Sequence, residues 1–130
     1  MGTDPTPTPE TTPPAGRQEE PLARHIAYPL GGTGLPAEDE QFLDSLAREL
    51  KAHPTWQLRI DGHTCSLGSP ETNEKVSLER ARFVQQRLVQ KGVPAAQLRA
   101  TGHADRYPIA PNDTEAGRAK NRRVALVLVK

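Results

Sequence analysis

Aromatic side chains are scarce in this 130-residue chain, where one Trp, two Tyr and two Phe amount to 4% of the residues. Single-stranded nucleic acids are held largely by stacking on such rings beside a basic groove, so nucleic acid is not an expected partner. Cysteine is rarer still. Cys65 stands alone, so no intramolecular disulfide is possible and cysteine usage does not reveal the redox compartment. No run approaches the ~20 apolar residues of a membrane-spanning helix, and the opening MGTDPTPTPE lacks the charged and apolar regions of an export signal. Net charge is also small, +1 overall, but unevenly placed. Residues 1–23 hold Asp4, Glu10, Glu19 and Glu20 against Arg17, a balance of −3, which leaves +4 on the remainder. A mildly basic domain suits an anionic polymer, although the same imbalance is common on inert solvated surfaces.

Proline, by contrast, is abundant and clustered: six of the thirteen fall within residues 1–21, among many Thr and Glu. That composition favours extended conformers and offers little to bury, so residues 1–23 are expected to be a disordered Pro/Thr-rich tether and residues 24–130 one folded domain. The run RHIAYPL reads as a first strand, ended by Pro29 and a flexible GGTG. Pro36 with Glu38, Asp39 and Glu40 marks a helix start, and Phe42, Leu43, Leu46, Ala47 and Leu50 follow at helical spacing. TWQLRIDGHT alternates Trp56, Leu58 and Ile60 against polar neighbours, as a half-buried strand does. Ser69 and Pro70 fit the cap and first turn of a second helix striped by Ala81, Val84 and Leu88, with Lys91-Gly92 as its stop. QLRATGHA predicts another strand, PNDTEAGRAKN a turn with a helical stretch, and RRVALVLVK a last strand. The expected fold is an α/β sandwich, β-α-β-α-β-(α)-β, a mixed sheet with helices on one face. The stretches DGHTC and TGHAD both follow strands, which places their Gly-His pairs at corresponding strand exits where loops collect.

Two longer stretches, GHTCSLGSPETNEKVSLERARFVQQRLVQKGV and RATGHADRYPIAPNDTEAGRAKNRRV, together resemble the OmpA C-terminal-like peptidoglycan-binding domains, which include the Pal lipoproteins and flagellar stator proteins. Gly62, His63, Thr64, Gly68, Asn73, Ser77, Arg80, Ala81, Val84, Gly92 and Val93 match the first part of that pattern in order and spacing. Asn112, Thr114, Gly117, Arg118, Asn121, Arg122, Arg123 and Val124 match the last. The resemblance covers residues 24 to 130 and implies a non-catalytic module, without cofactor, that grips the diaminopimelate-containing stem peptide of the cell wall. It implies a periplasmic location associated with the outer membrane through an anchor or domain preceding this stretch, with other envelope proteins or a second copy as further partners. In the family an acid after G-H-T and the arginine of L-S-x-x-R hold the ammonium and carboxylate of diaminopimelate. By that likeness Arg80 anchors a carboxylate through two parallel charge-assisted hydrogen bonds, and Asn73, Thr64, Gly68, Asn121 and Cys65 complete the ligand-binding set.

The acid is missing, because Cys65 stands where the family has Asp. A mostly neutral thiol cannot replace a carboxylate opposite an ammonium. Either specificity is altered, with Asp61 or Asp105 as nearby substitutes, or Cys65 is a small buried residue and the wall is held by main-chain groups, Asn73 and Arg80. A scaffold or interaction domain that kept the fold and lost the wall is the competing class. YPLGGTG also lacks the Phe-Asp strand end common in the family. Two rival constellations are weaker: His63, Cys65, His103 and Asp105 have acceptable zinc-ligand types but follow no standard spacing, and a Cys-His nucleophile has no evident orienting partner. The basic GRAKNRR is expected to brace loops through Asn121, with Arg118 and Arg122 structural.

Overall fold

The computed structural model describes residues 18–27 and 35–130. Its elements are β1 (Glu19–Pro21), β2 (Ile26–Ala27), α1 (Ala37–Ala52), β3 (Gln57–His63), α2 (Pro70–Gln90), a short 3-10 turn (Ala95–Gln97), β4 (Leu98–Gly102), α3 (Glu115–Asn121) and β5 (Arg123–Val129). The strands form one mixed sheet in the order β1-β5-β3-β4, with β2 also against β5. β3 and β4 run parallel, and β5 is antiparallel to β1, β2 and β3.

Helix ends fall where their chemistry places them. Ser69 caps α2 by accepting the Thr72 N–H at 3.1 Å, with Pro70 in the first turn. Its far end closes through Gly92 at φ +100°, where the Val93 N–H reaches the Leu88 carbonyl. α1 starts at Pro36 with three acids in its first turn and buries Leu43, Leu46, Ala47 and Leu50. Those side chains meet Ala81, Val84 and Leu88 of α2 over Leu58, Ile60, Leu98, Val124, Leu126 and Leu128 of the sheet. Each fully buried Leu, Ile or Val there contributes roughly 1.5–3 kcal/mol.

α2 crosses the sheet at two glycines paired in register, Gly62 and Gly102. A Cβ on Gly62 would stand 1.9 Å from the Ser77 carbonyl oxygen, and one on Gly102 2.6 Å from the Leu78 nitrogen. Backbone lies on backbone, which holds the first half of α2 close against the ends of β3 and β4.

The tether boundary needs correction. Glu19–Pro21, expected to be disordered, form a strand on β5 although all three are exposed. Gln18 and Lys130 exchange main-chain hydrogen bonds of 3.2 and 2.8 Å, and the Leu22 N–H donates to Leu126 O. Composition weighs side-chain burial and misses this, because an edge strand is held by its backbone; Pro21, lacking an N–H, is tolerated only at such an edge. Residues 18–22 are therefore part of the folded sheet, and residues 1–17 lie outside the described residues. Of the strand expected in RHIAYPL, Ile26–Ala27 are seen as β2, while Tyr28, Pro29 and the GGTG loop lie outside the described residues.

Candidate functional site at the strand exits

Because β3 and β4 are parallel, their C-terminal ends leave the sheet on the same edge. The His103 N–H donates to Gly62 O at 2.9 Å, and the Thr64 N–H to Ala104 O at 2.8 Å, so the two Gly-His exits are tied together as the sequence suggested. Ala104 is held at φ +53°, a left-handed conformation uncommon for a residue with a Cβ, and its own N–H donates to Ser77 Oγ at 3.0 Å. Ser77 thus fixes the helix to the β4 exit.

On the helix-free face the imidazoles of His63 and His103 stack with centroids 5.1 Å apart, and Tyr107 meets both edge-on. Below them Asp61 accepts from Thr101 Oγ1 at 2.7 Å and from Arg59 Nε at 2.9 Å. Burial works to raise the Asp61 carboxyl, but hydrogen bonds from His103 and Thr101 and the charge of Arg59 outweigh it and hold the group below its ordinary value. Burial, then the charges of Arg123 and His103, push His63 down to about 3. With that value His63 is a neutral, buried group at physiological pH.

Cys65 belongs to a different group. It is 3% exposed, and its Sγ receives the Nη1–H of Arg122 at 3.6 Å. The other arm of that guanidinium donates to Glu115 Oε2 at 2.5 Å, and chiefly this bond raises Arg122 above its ordinary value against the effect of burial. The zinc set is not assembled: among the described residues no group of three or more His, Cys, Asp and Glu is placed to hold a metal. Nor does the guanidinium serve a nucleophile, since it cannot accept the thiol's proton. Two buried polar atoms beside the thiol, Thr64 Oγ1 and Arg122 Nε, have no hydrogen-bond partner within the protein.

Asn73 is buried in the first turn of α2. Its Oδ1 lies where a Cβ on Gly68 would approach to 3.3 Å, and Gly68 has φ +92°, so the 64–68 turn and the helix start fit together only with glycine. Arg80 is half-buried two turns further on. The flanks of α2 show which way it faces. Glu74, Leu78 and Arg82 line a groove of about 310 Å³ with Arg99, Ala100, Thr101 and Gly102 of β4, whereas Arg87 pairs with Glu40 of α1. At 100° per residue Arg80 shares the Arg87 flank, away from β4 and toward the β5 side of the sheet. Cys65 meets Arg122 at the start of β5, on that same side.

Asn121 is 0% exposed and fully engaged. Its Oδ1 accepts the N–H groups of Ile109 and Ala110 at 2.7 and 3.1 Å, and its Nδ2 donates to Ala110 O and Asn112 Oδ1, both at 2.9 Å. With no side-chain hydrogen-bonding capacity left over, Asn121 braces the loop. Asn112 Oδ1 also accepts the Ser66 N–H at 3.2 Å, carrying that brace to the turn after Cys65. Arg118 donates to Asn112 O and Glu115, a structural place like the one expected for it. Sequence reasoning did not single out Glu115, whose one signal was its position in the first turn of α3 after the Thr114 cap.

This architecture, with its ordered strand-exit motifs, matches a known family: the OmpA family pattern covers residues 28–122. The chain belongs to the OmpA family. It is 39% identical over 103 residues to the peptidoglycan-binding protein ArfA of Mycobacterium tuberculosis, covering 79% of this chain and 32% of that protein. It is 36% identical over 108 residues to the putative lipoprotein YfiB of Escherichia coli, covering 82% and 68%. The crystal structure of the peptidoglycan-associated lipoprotein from Burkholderia pseudomallei superposes with a TM-score of 0.77 at 30% identity, covering 81% of this chain and 89% of that one. The chain spans about a third of the length of ArfA.

Proposed function

We propose that residues 18–130 bind the peptide stem of peptidoglycan reversibly and without bond cleavage, anchoring an envelope protein to the wall. Arg80 takes a stem carboxylate, as a planar guanidinium does best through paired hydrogen bonds. Asn73 and the Thr64–Gly68 turn supply further polar contacts, Cys65 lines the site, and Asn121 acts through the loops it braces. The observation that carries this reading is the position of Arg80 on the β5-facing flank of α2, the side of the sheet where Cys65, Thr64 and Arg122 gather. A periplasmic setting accords with it. Affinity is expected to be modest, because each paired charge must first be desolvated.

Co-sedimentation with purified sacculi tests the proposal. The natural protein should be retained, and Arg80→Ala, while remaining folded, should lose at least about tenfold in affinity, the loss of one charge-assisted pair. Equal and negligible retention of both proteins would instead favour an interaction domain that has kept the fold and lost the wall.

A further inference from the structure

Resting on that wall-binding reading, we propose that the Cys65 end of the site selects an acylated amine, the amide formed where two stems are cross-linked, over the free ammonium of an uncross-linked stem. A diamino acid in a wall peptide carries its distal amine in one of two states. Free, it is a cation with three N–H donors and no acceptor. Acylated by the neighbouring stem, it is a neutral amide with one donor and a carbonyl acceptor. The surroundings of Cys65 distinguish the two.

The first distinguishing feature is charge. The thiol sulfur is in contact with Arg122 Nη1, and Arg122 is only 7% exposed, so an ammonium brought to Cys65 meets a guanidinium screened little by water. Glu115 offsets part of that charge, but it is already bonded to Arg122 and Arg118. The two carboxylates that the sequence offered as substitutes are placed elsewhere. Asp61 is committed to Thr101 and Arg59 on the helix-free face, and Asp105 follows β4, across β3 from Arg122. The second feature is hydrogen bonding. The Arg122 Nε–H is a buried donor without a partner, and Thr64 Oγ1 is a buried hydroxyl without one, both more than nine-tenths buried. A carbonyl oxygen answers the first and an amide N–H the second. An ammonium answers only the hydroxyl and repels the guanidinium.

The test uses the full chain and three soluble muropeptides from a diaminopimelate-type wall: the monomer with a free distal amine, the same monomer N-acetylated on that amine, and the cross-linked dimer. Calorimetric titration should show the acetylated monomer and the dimer binding at least about fivefold more tightly than the free monomer. Cys65→Ser, which stays neutral, should preserve that order, and Cys65→Asp should reverse it by supplying a carboxylate to the ammonium. Equal or tighter binding of the free monomer by the natural protein would overturn this inference and leave wall binding standing. A folded Cys65→Asp variant that keeps the natural order would overturn the assignment to this end of the site. Failure of the natural protein to bind any muropeptide or sacculi would overturn the wall-binding reading and this inference with it. The first comparison changes only the ligand, so it decides the matter even if Cys65→Asp fails to fold.

Discussion

Two loops leave the same edge of the sheet and are built differently. In the 109–123 segment every hydrogen-bonding position of the Asn121 side chain is filled from within the protein, and Asn112 extends that order to the Ser66 N–H. In the 64–68 turn a thiol rests on one long contact to Arg122, and a buried hydroxyl beside it has no protein partner. Buried polar groups are ordinarily satisfied, since leaving one unpaired costs about 1–3 kcal/mol. The contrast teaches a division of labour: Asn121 is scaffold, satisfied from within its own loop, whereas Thr64 Oγ1 and Arg122 Nε have no partner within the protein and, on our proposal, are completed by a ligand.

The comparison can be broken at its shared foundation. Gly62→Ala forces a Cβ to 1.9 Å from the Ser77 carbonyl, a backbone atom that cannot swing aside, so α2 must lift off the sheet. A loss of about 4 kcal/mol or more in urea denaturation is expected, and both loops should loosen together. Asn121→Ala is next. It strands the Ile109 and Ala110 N–H groups and should cost about 3 kcal/mol, with faster amide exchange at both. A change of comparable size at Thr64, by Thr64→Val, would contradict the division, because its hydroxyl has no internal bond to lose.

An effect of comparable total size, spread over several pH units, comes from acid. His63 has a folded value of about 3 against an ordinary 6.5, so below pH 6.5 the unfolded chain takes up a proton that the folded one refuses. Stability should be unaffected by this group above pH 6.5 and fall by up to about 1.4 kcal/mol per pH unit between 6.5 and 3. Thermal melts from pH 7.5 to 4 should show this decline, and His63→Phe, if folded, should flatten it. The smallest effect is reserved for the exposed rim: Leu67→Ser and Ile109→Ser, each at side chains about half exposed, should change stability by no more than about 0.5 kcal/mol.

Much of the frame was legible in the residues, and the reasons are local. Ser69-Pro70 and Lys91-Gly92 bound α2 because capping chemistry acts within four residues. Leu58 and Ile60 alternate because a strand has two faces, and the Gly-His pairs proved to be neighbouring exits because parallel strands end together. What was not legible depends on contacts distant in sequence. Glu19–Pro21 became a strand through β5, whose edge lies more than a hundred residues away. Cys65 was weighed against His63, two residues along the chain, while its actual neighbour is Arg122, 57 residues on. Asn121, expected both to brace loops and to join the ligand set, spends its whole side-chain hydrogen-bonding capacity on the bracing. Spacing identifies which residues share a face, but not which distant side chain reaches them.

The central claim is that the wall stem lies between Arg80 and the 64–68 turn. The most direct measurement is a titration of the ¹⁵N-labelled protein with a soluble diaminopimelate-containing stem peptide, followed residue by residue. Saturable shifts concentrated at Thr64–Gly68, Asn73 and the Arg80 side chain, abolished in Arg80→Ala, are the predicted result. Shifts confined to the groove between α2 and β4, or a natural protein that does not respond, would contradict it.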